Sequence, residues 1–299
     1  MKIVRIAAAA AAISALLILA GCDLMPKDDG YDPKENEVLV SATAPAGPAP
    51  AWVEVRARGD AGKLMGFGML SLKNGKYSGY VQAGEAGAMK FIVTTGLEMN
   101  DKVQWIGSGE LTVQGKGQSL EISLAAPAPG GIGPSGGRVF YDKGTYDDGW
   151  RYLEAFVPED GFCQWATART RIPGATDPGH GAGKPNTALM ASNSIFYPAA
   201  AKARNLSYGD YYDWFLPSID ELETLLEVLG NSVPFDLDTW NPYWSSTEGT
   251  DLDGGADKAH VVNVRSNSGW DWWMNPYVFT RGTQYKDSAN GYVIGARRF

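Results

Sequence analysis

Seven short runs of alternating apolar and polar residues crowd positions 51–126, and no helical period interrupts them. Val53, Val55 and Ala57 alternate with Glu54, Arg56 and Arg58, so one face of a strand is apolar and the other wet. Leu70 and Leu72 lead into Asn74-Gly75, a strong short-range hairpin signal because both residues tolerate positive φ. Tyr77–Val81 supplies the return strand, and runs at 90–95, 102–106, 110–113 and 119–124 follow. Short strands with Gly-rich turns predict a small all-β sandwich, immunoglobulin-like or prealbumin-like, over 51–126.

Composition narrows the chemistry. The 299 residues include only 2 His and 2 Cys, too few for a His-rich metal site, a disulfide framework or a four-thiolate zinc site. The formal charge is −8, which argues against nucleic acid as a partner, since that affinity is mostly phosphate neutralisation. No Gly-x-Ser-x-Gly, Walker or dinucleotide-binding pattern occurs, and the serines have no evident His partner in sequence. The expectation is a protein that is not an enzyme and needs no cofactor.

The N-terminus sets the address. Lys2 and Arg5 precede an apolar run of about fifteen residues, short for a membrane span and suited to a signal-peptide core. It ends in Leu19-Ala20-Gly21-Cys22, which resembles the lipobox of bacterial lipoproteins. That resemblance implies a signal peptide at 1–21 and thioether lipidation with palmitate or related chains at Cys22. The membrane is then a partner through the lipid anchor, at the outer membrane or cell surface or at the periplasmic face of the inner membrane. Removing residues 1–21 takes away two positive charges and leaves −10. Cys163 then stands alone and reads as a small buried apolar residue. Residues 22–50, acidic and then rich in Pro and Ala, read as an extended tether that buries no core.

Residues 127–133 read as a linker, and 134–299 hold eight of the ten tryptophans with 14 basic against 21 acidic residues. Ser218-Ile219-Asp220-Glu221 is a capping box, and Leu222, Leu225, Leu226 and Leu229 follow at helical spacing, with Gly230 as a stop. Shorter helices are expected from a cap at Asn186 to Met190 and over 198–205. Strands are expected at 150–155, 243–248, 260–264 and 291–299. Trp244 is expected to pack on the helix that Ser218 begins.

Four blocks of this region resemble one family. They are Gly133-Pro134-Ser135-Gly136-Gly137 with Val139-Phe140-Tyr141-Asp142, then Gly209 to Ser218 with Glu221-Leu222, then Tyr243 to Glu248, and the terminal Gly291-Tyr292-Val293 with Arg297-Arg298-Phe299. Together they resemble the Lcl C-terminal domain family, named after the collagen-like adhesin of Legionella. The resemblance implies an α+β C-type-lectin-like C-terminal domain over 134–299, displaying an adhesin-like face for carbohydrate binding. Its best-described member binds sulfated glycosaminoglycans.

The ligand surface expected on physical grounds is the stretch holding Trp270, Asp271, Trp272, Trp273, Asn275 and Tyr277, with Arg281 beyond it. Indoles stack on sugar faces and amide, carboxylate and phenol groups bond hydroxyls, so a glycan or protein ligand fits. Glu248, Asp251, Asp253 and Asp257 are hard oxygen ligands within reach of calcium in type, although their spacing is not that of an EF-hand and a solvated acidic turn is the simpler reading. The function expected is a membrane-anchored cell-envelope lipoprotein with a non-catalytic ligand-binding domain. The alternatives are a display scaffold, such as a retroelement-diversified variable protein, or a formylglycine-generating-like oxidase, for which the paired cysteines are missing.

Overall fold

Sheets built from non-consecutive strands organise the molecule. The structure is a computed structural model, and it describes residues 31–97, 102–172, 174–191, 195–232, 237, 239–252, 255–267, 277–287 and 291–299.

The first unit is a sandwich of two four-stranded sheets. One has the order β4-β5-β1-β8, with β1 Glu37–Thr43, β4 Ser71–Lys73, β5 Lys76–Gln82 and β8 Gln118–Ser123. The other has the order β3-β2-β6-β7, with β2 Trp52–Arg58, β3 Leu64–Met69, β6 Gly87–Gly96 and β7 Val103–Val113. Alternation works as the pleat requires: Val38, Val40, Val81 and Ile122 meet Val55, Phe91, Val93 and Val113 in one buried core. Each such side chain is worth about 1.5–3 kcal/mol when fully buried. Asn74 and Gly75 have φ of 49° and 81°, the geometry a tight hairpin needs.

Strand β1 corrects the tether reading of 22–50. It lies between β5, antiparallel, and β8, parallel, and buries Val38, Val40 and Ala42. The stretch read as tether therefore contains core residues of the sandwich.

The second unit corrects the expected fold class. An α+β C-type-lectin-like domain is not what forms: over the molecule as a whole, strand accounts for 46% against 13% helix, spread over several sheets. Strands β9 Arg138–Asp147, β10 Trp150–Phe156 and β16 Gly295–Arg298 make a three-stranded sheet in the order β16-β10-β9. Strands β11 Phe162–Cys163, β12 Tyr243–Glu248, β13 Lys258–Ser266, β14 Tyr277–Tyr285 and β15 Gly291–Tyr292 make a five-stranded one in the order β11-β15-β12-β13-β14. Three α-helices are described: α1 Gly183–Ala191, α2 Pro198–Arg204 and α3 Ile219–Ser232. Two of them are so short that strands dominate the packing.

Helix α3 is built as its sequence dictates. The Ser218 amide donates to Glu221 Oε2 at 2.8 Å, and the Glu221 amide donates to Ser218 Oγ at 3.2 Å. Its four leucines pack with Phe215, Tyr243, Val262 and Val264. Gly230 is no stop, because the helix runs on to Ser232. A Cβ there would come within 2.6 Å of the Phe279 ring, so glycine is needed for close approach of β14. Asn186 lies inside α1 rather than capping it, and its amide donates to the Asp177 carbonyl at 2.8 Å. Trp244 turns away from α3 into a separate core with Trp165, Met190, Ala199 and Val261. Adjacent strand residues face opposite ways, and it is Tyr243 that meets α3.

The two units pack side by side. Ile92, Val103 and Ile106 of the sandwich share a buried cluster with Val139, Tyr152 and Phe299. Beside it, the guanidinium groups of Arg297 and Arg56 lie over the Tyr211 ring, at 3.6 Å and 5.0 Å from its centre. Arg58, almost fully buried, donates to the Gly209 carbonyl at 2.8 Å. Arg297 Nη1 contacts Glu154 Oε1 at 2.5 Å, and its Nε contacts Asp213 Oδ1 at 2.6 Å. Glu154 Oε2 in turn accepts from the Ser135 hydroxyl at 2.8 Å.

Removing one partner of a buried ion pair costs about 3–5 kcal/mol, because the other charge stays buried alone. Urea denaturation of residues 23–299 is expected to show a loss of that size for Arg297→Met, with much of it recovered in Arg297→Met/Glu154→Gln. A loss under about 1 kcal/mol in the single variant contradicts this account of the seam.

Candidate functional site

Strand β12, Tyr-Trp-Ser-Ser-Thr-Glu, is buried along its whole length, polar residues included. A register shift against β13 between Trp244 and Glu248 lifts the Ser-Ser-Thr segment out of the ladder and frees its backbone for other partners. The Ser245 hydroxyl donates to the His260 carbonyl at 2.9 Å, and the Ser245 carbonyl accepts from the Trp165 indole at 2.7 Å. The Ser246 amide donates to the Pro217 carbonyl at 2.7 Å. Thr247 Oγ1 accepts from the Ile219 amide at 3.1 Å and donates to the Asp177 carbonyl at 3.3 Å. These hydroxyls hold α3 and the 175–179 loop in place.

Glu248 is fully buried and forms an ion pair with Lys286, itself fully buried. Its Oε1 also accepts from the Ile172 amide at 2.8 Å, while Lys286 donates to the Thr170 carbonyl at 2.7 Å. Burial lowers the Lys286 pKa, and the Glu248 carboxylate opposes that shift. Glu248 thus departs from the solvated turn expected for it. Asp251 is exposed, Asp257 is partly buried, and Asp253 lies outside the described residues. Among the described residues no group of three or more His, Cys, Asp or Glu is placed to hold a metal.

Of the expected ligand surface, Trp270, Asp271, Trp272, Trp273 and Asn275 lie outside the described residues, as does Cys22. The two that are described have structural contacts. Tyr277 packs against the α3 core, with its ring 6.4 Å from that of Phe279. Arg281 bridges to Asp220 at 2.7 Å and to Glu223, both on α3, and these contacts push its pKa up. Arg281 is therefore a strap between β14 and the helix.

The face that remains open belongs to other residues. Strands β13 and β14 pair in register from Lys258↔Tyr285 to Ser266↔Tyr277. One face of this hairpin packs on α3 through Val262, Val264 and Phe279. On the other face Val261, near the sheet centre, is covered by the Trp244 core, but the distal half is not. There Asn263↔Thr280 and Arg265↔Val278 stand as neighbouring pairs, with Arg265, Val278 and Thr280 exposed. A short platform of amide, hydroxyl, guanidinium and methyl groups results, at the base of the Trp-rich connection. The sequence carried a signal for it: Asn263, Arg265, Val278 and Thr280 are the parity opposite to the buried Val262 and Val264 and the partly buried Phe279.

Two other reactive-type residues are placed elsewhere. The His180 ring stacks on Tyr141 at 4.2 Å and its Nε2 lies 2.8 Å from Thr224 Oγ1. Cys163 is half-buried, and burial pushes its thiol up to about 11.

No family model matches the chain, and no curated protein matches it. One solved structure that the chain resembles is a DUF4876 family protein from Bacteroides thetaiotaomicron, at 13% identity over 47% of this chain and 37% of that one, with a TM-score of 0.19. The chain thus spans well under half of that neighbour's length, and a likeness so slight carries no argument.

A thiol at about 11 has roughly a hundredfold less thiolate at pH 8 than an ordinary cysteine. Iodoacetamide is expected to alkylate Cys163 in native protein at pH 8 some two orders of magnitude more slowly than in urea, read by intact mass. Equal rates contradict the burial assigned to it.

Proposed function

We propose that the protein is a lipid-anchored lipoprotein of the bacterial envelope whose C-terminal unit binds a glycan or protein ligand and transforms nothing. The observation that carries the binding reading is the uncovered distal face of the β13–β14 hairpin, where Asn263, Arg265, Val278 and Thr280 lie at the base of the Trp-rich connection. Amide, hydroxyl and guanidinium groups beside an apolar side chain suit hydroxyl-bearing or polar ligands, and indoles add stacking area. The non-catalytic part of the reading is supported by where the candidate chemistry goes. Ser218, Ser245 and Thr247 hydrogen-bond to neighbouring backbone, Ser246 is buried beside Asn186, and Glu248 is paired with Lys286. The anchor rests on Leu19-Ala20-Gly21-Cys22. Two or three acyl chains hold firmly where a single chain binds only marginally. The four sequence blocks that resemble the Lcl C-terminal domain family favour an adhesin-like role over a display scaffold.

The test has two arms. Radiolabelled palmitate is expected to enter the full-length protein and not Cys22→Ser, which leaves the membrane fraction. On an array of glycans and envelope or host surface proteins, residues 23–299 are expected to bind at least one member, with at least tenfold weaker binding by Arg265→Ala/Thr280→Ala of unchanged stability. No labelling removes the anchor, and no binding or undiminished binding by the double variant removes the face.

A further inference from the structure

The chain is fastened to the sandwich well before its first strand. The Tyr31 hydroxyl donates to Glu37 Oε2 at 2.7 Å, and its ring lies 4.6 Å from that of Tyr80. The Lys34 amide donates to the same carboxylate oxygen at 2.9 Å, and Asp32 pairs with Lys116 at 3.3 Å. Nine peptide units separate Tyr31 from Cys22, and whatever their conformation they span at most about 32 Å. The whole 22–50 stretch, had it been tether, would reach roughly 100 Å.

Strand register says which end of the molecule this fastening holds. Glu37 pairs with Gln82 and Val38 with Gln118, so the turns at 83–86 and 114–117 lie at the end where β1 enters. Arg58 pairs with Lys90 and Leu64, three residues from the start of β6, at the same end. The opposite end holds Ser123, paired with Thr43, and the Asn74-Gly75 turn. About 20 Å of strand separates the two ends. The second unit reaches the entry end as well: Arg58 bonds Gly209, and Gly62 sits so close to Tyr208 that a Cβ would fall 2.0 Å from its ring.

Resting on the reading that Cys22 is acylated, we propose that the β1-entry end of the sandwich is a bilayer-facing surface, held against the headgroup layer of the membrane that anchors the chain. Its chemistry suits that partner. Tyr31 is exposed beside Tyr80, Lys34 and Lys116 are exposed around them, and such amphipathic side chains settle at headgroup level. Of the acidic groups at this end, Glu37 accepts from the Tyr31 hydroxyl and the Lys34 amide and Asp32 pairs with Lys116, while Glu35 and Glu85 are exposed to solvent. The molecule is then an oriented platform close to the membrane, with both units beside the lipid.

The test uses full-length acylated protein in phosphatidylethanolamine/phosphatidylglycerol vesicles carrying an acceptor dye on the lipid headgroups. In a Cys163→Ala background a donor is placed at Glu85→Cys, on an exposed turn of the entry end, or at Ser123→Cys, exposed at the far end. Energy transfer is expected to be at least twofold more efficient from position 85 than from 123. Inserting twenty Gly/Ser residues after Asp23 is expected to lower both and abolish the difference. Equal transfer from the two positions in protein that floats with the vesicles overturns the orientation and leaves the anchor standing. Protein that neither floats nor incorporates palmitate overturns the anchor, and the orientation with it.

Discussion

A carboxylate taken out of water must be answered, and Glu154 on β10 is answered by three donors. Arg297 on β16 neutralises it, the Ser135 hydroxyl and amide bond it, and Gly133 leaves it room, since a Cβ there would lie 2.0 Å from Oε2. Arg297 then extends the network to Asp213 and stacks on Tyr211, which Arg56 of the sandwich also contacts. One buried charge thus ties the entry turn of the second unit, its last strand, the 209–213 loop and the neighbouring unit into one arrangement. A looser arrangement would strand the charge, so the network selects a geometry more than it adds stability.

Glu248 and Lys286 do the same work on the five-stranded sheet. The pair joins the end of β12 to the chain leaving β14, and through Ile172 and Thr170 it fixes the 170–172 segment beside Trp165. The cation also lies 5.1 Å from the Trp165 ring centre. Both knots use a long cationic side chain that is buried along its stem and paired at its tip, an economical way to join segments that are distant in sequence.

What the sequence made legible was local. The alternation of β2, the Asn74-Gly75 turn, and the capping box with four leucines of α3 each depend on neighbours in the chain. Strand β1 was hidden by composition: Val38, Val40 and Ala42 alternate correctly, but acidic residues precede them and a Pro-Ala stretch follows. Which face of β12 meets α3 was not legible, because period-2 alternation separates Tyr243 from Trp244 without saying which side holds the helix. The fold class failed at the same level, since helix signals can be counted from sequence while the partition of strands among sheets is set by long-range pairing. As for the candidate site, the aromatic stretch drew attention away from Arg265 and Thr280, whose parity alone marked them as outward-facing. Arg281 looked free in sequence, and only the approach of α3 gave it two carboxylates.

The blocks that carry the family resemblance have a structural explanation in the seam. Gly209, with φ of +66°, sits so close to Ser135 that a Cβ would fall 2.2 Å from its carbonyl, and Gly136, at φ +95°, lies against Ile92 and Arg58 of the sandwich. The Gly-Pro-Ser-Gly-Gly turn, the Gly-Asp-Tyr loop and the terminal Arg297 are thus bound to one another and to the first unit. A motif with these small and charged residues in order marks how a domain closes on itself and docks to its neighbour. The recognition surface has to be sought where closure leaves side chains unused. Because the docking is lateral, the first unit adds no height between the second unit and a membrane. On the proposed anchoring, any ligand of the β13–β14 face would then have to come to the envelope surface or already belong to it.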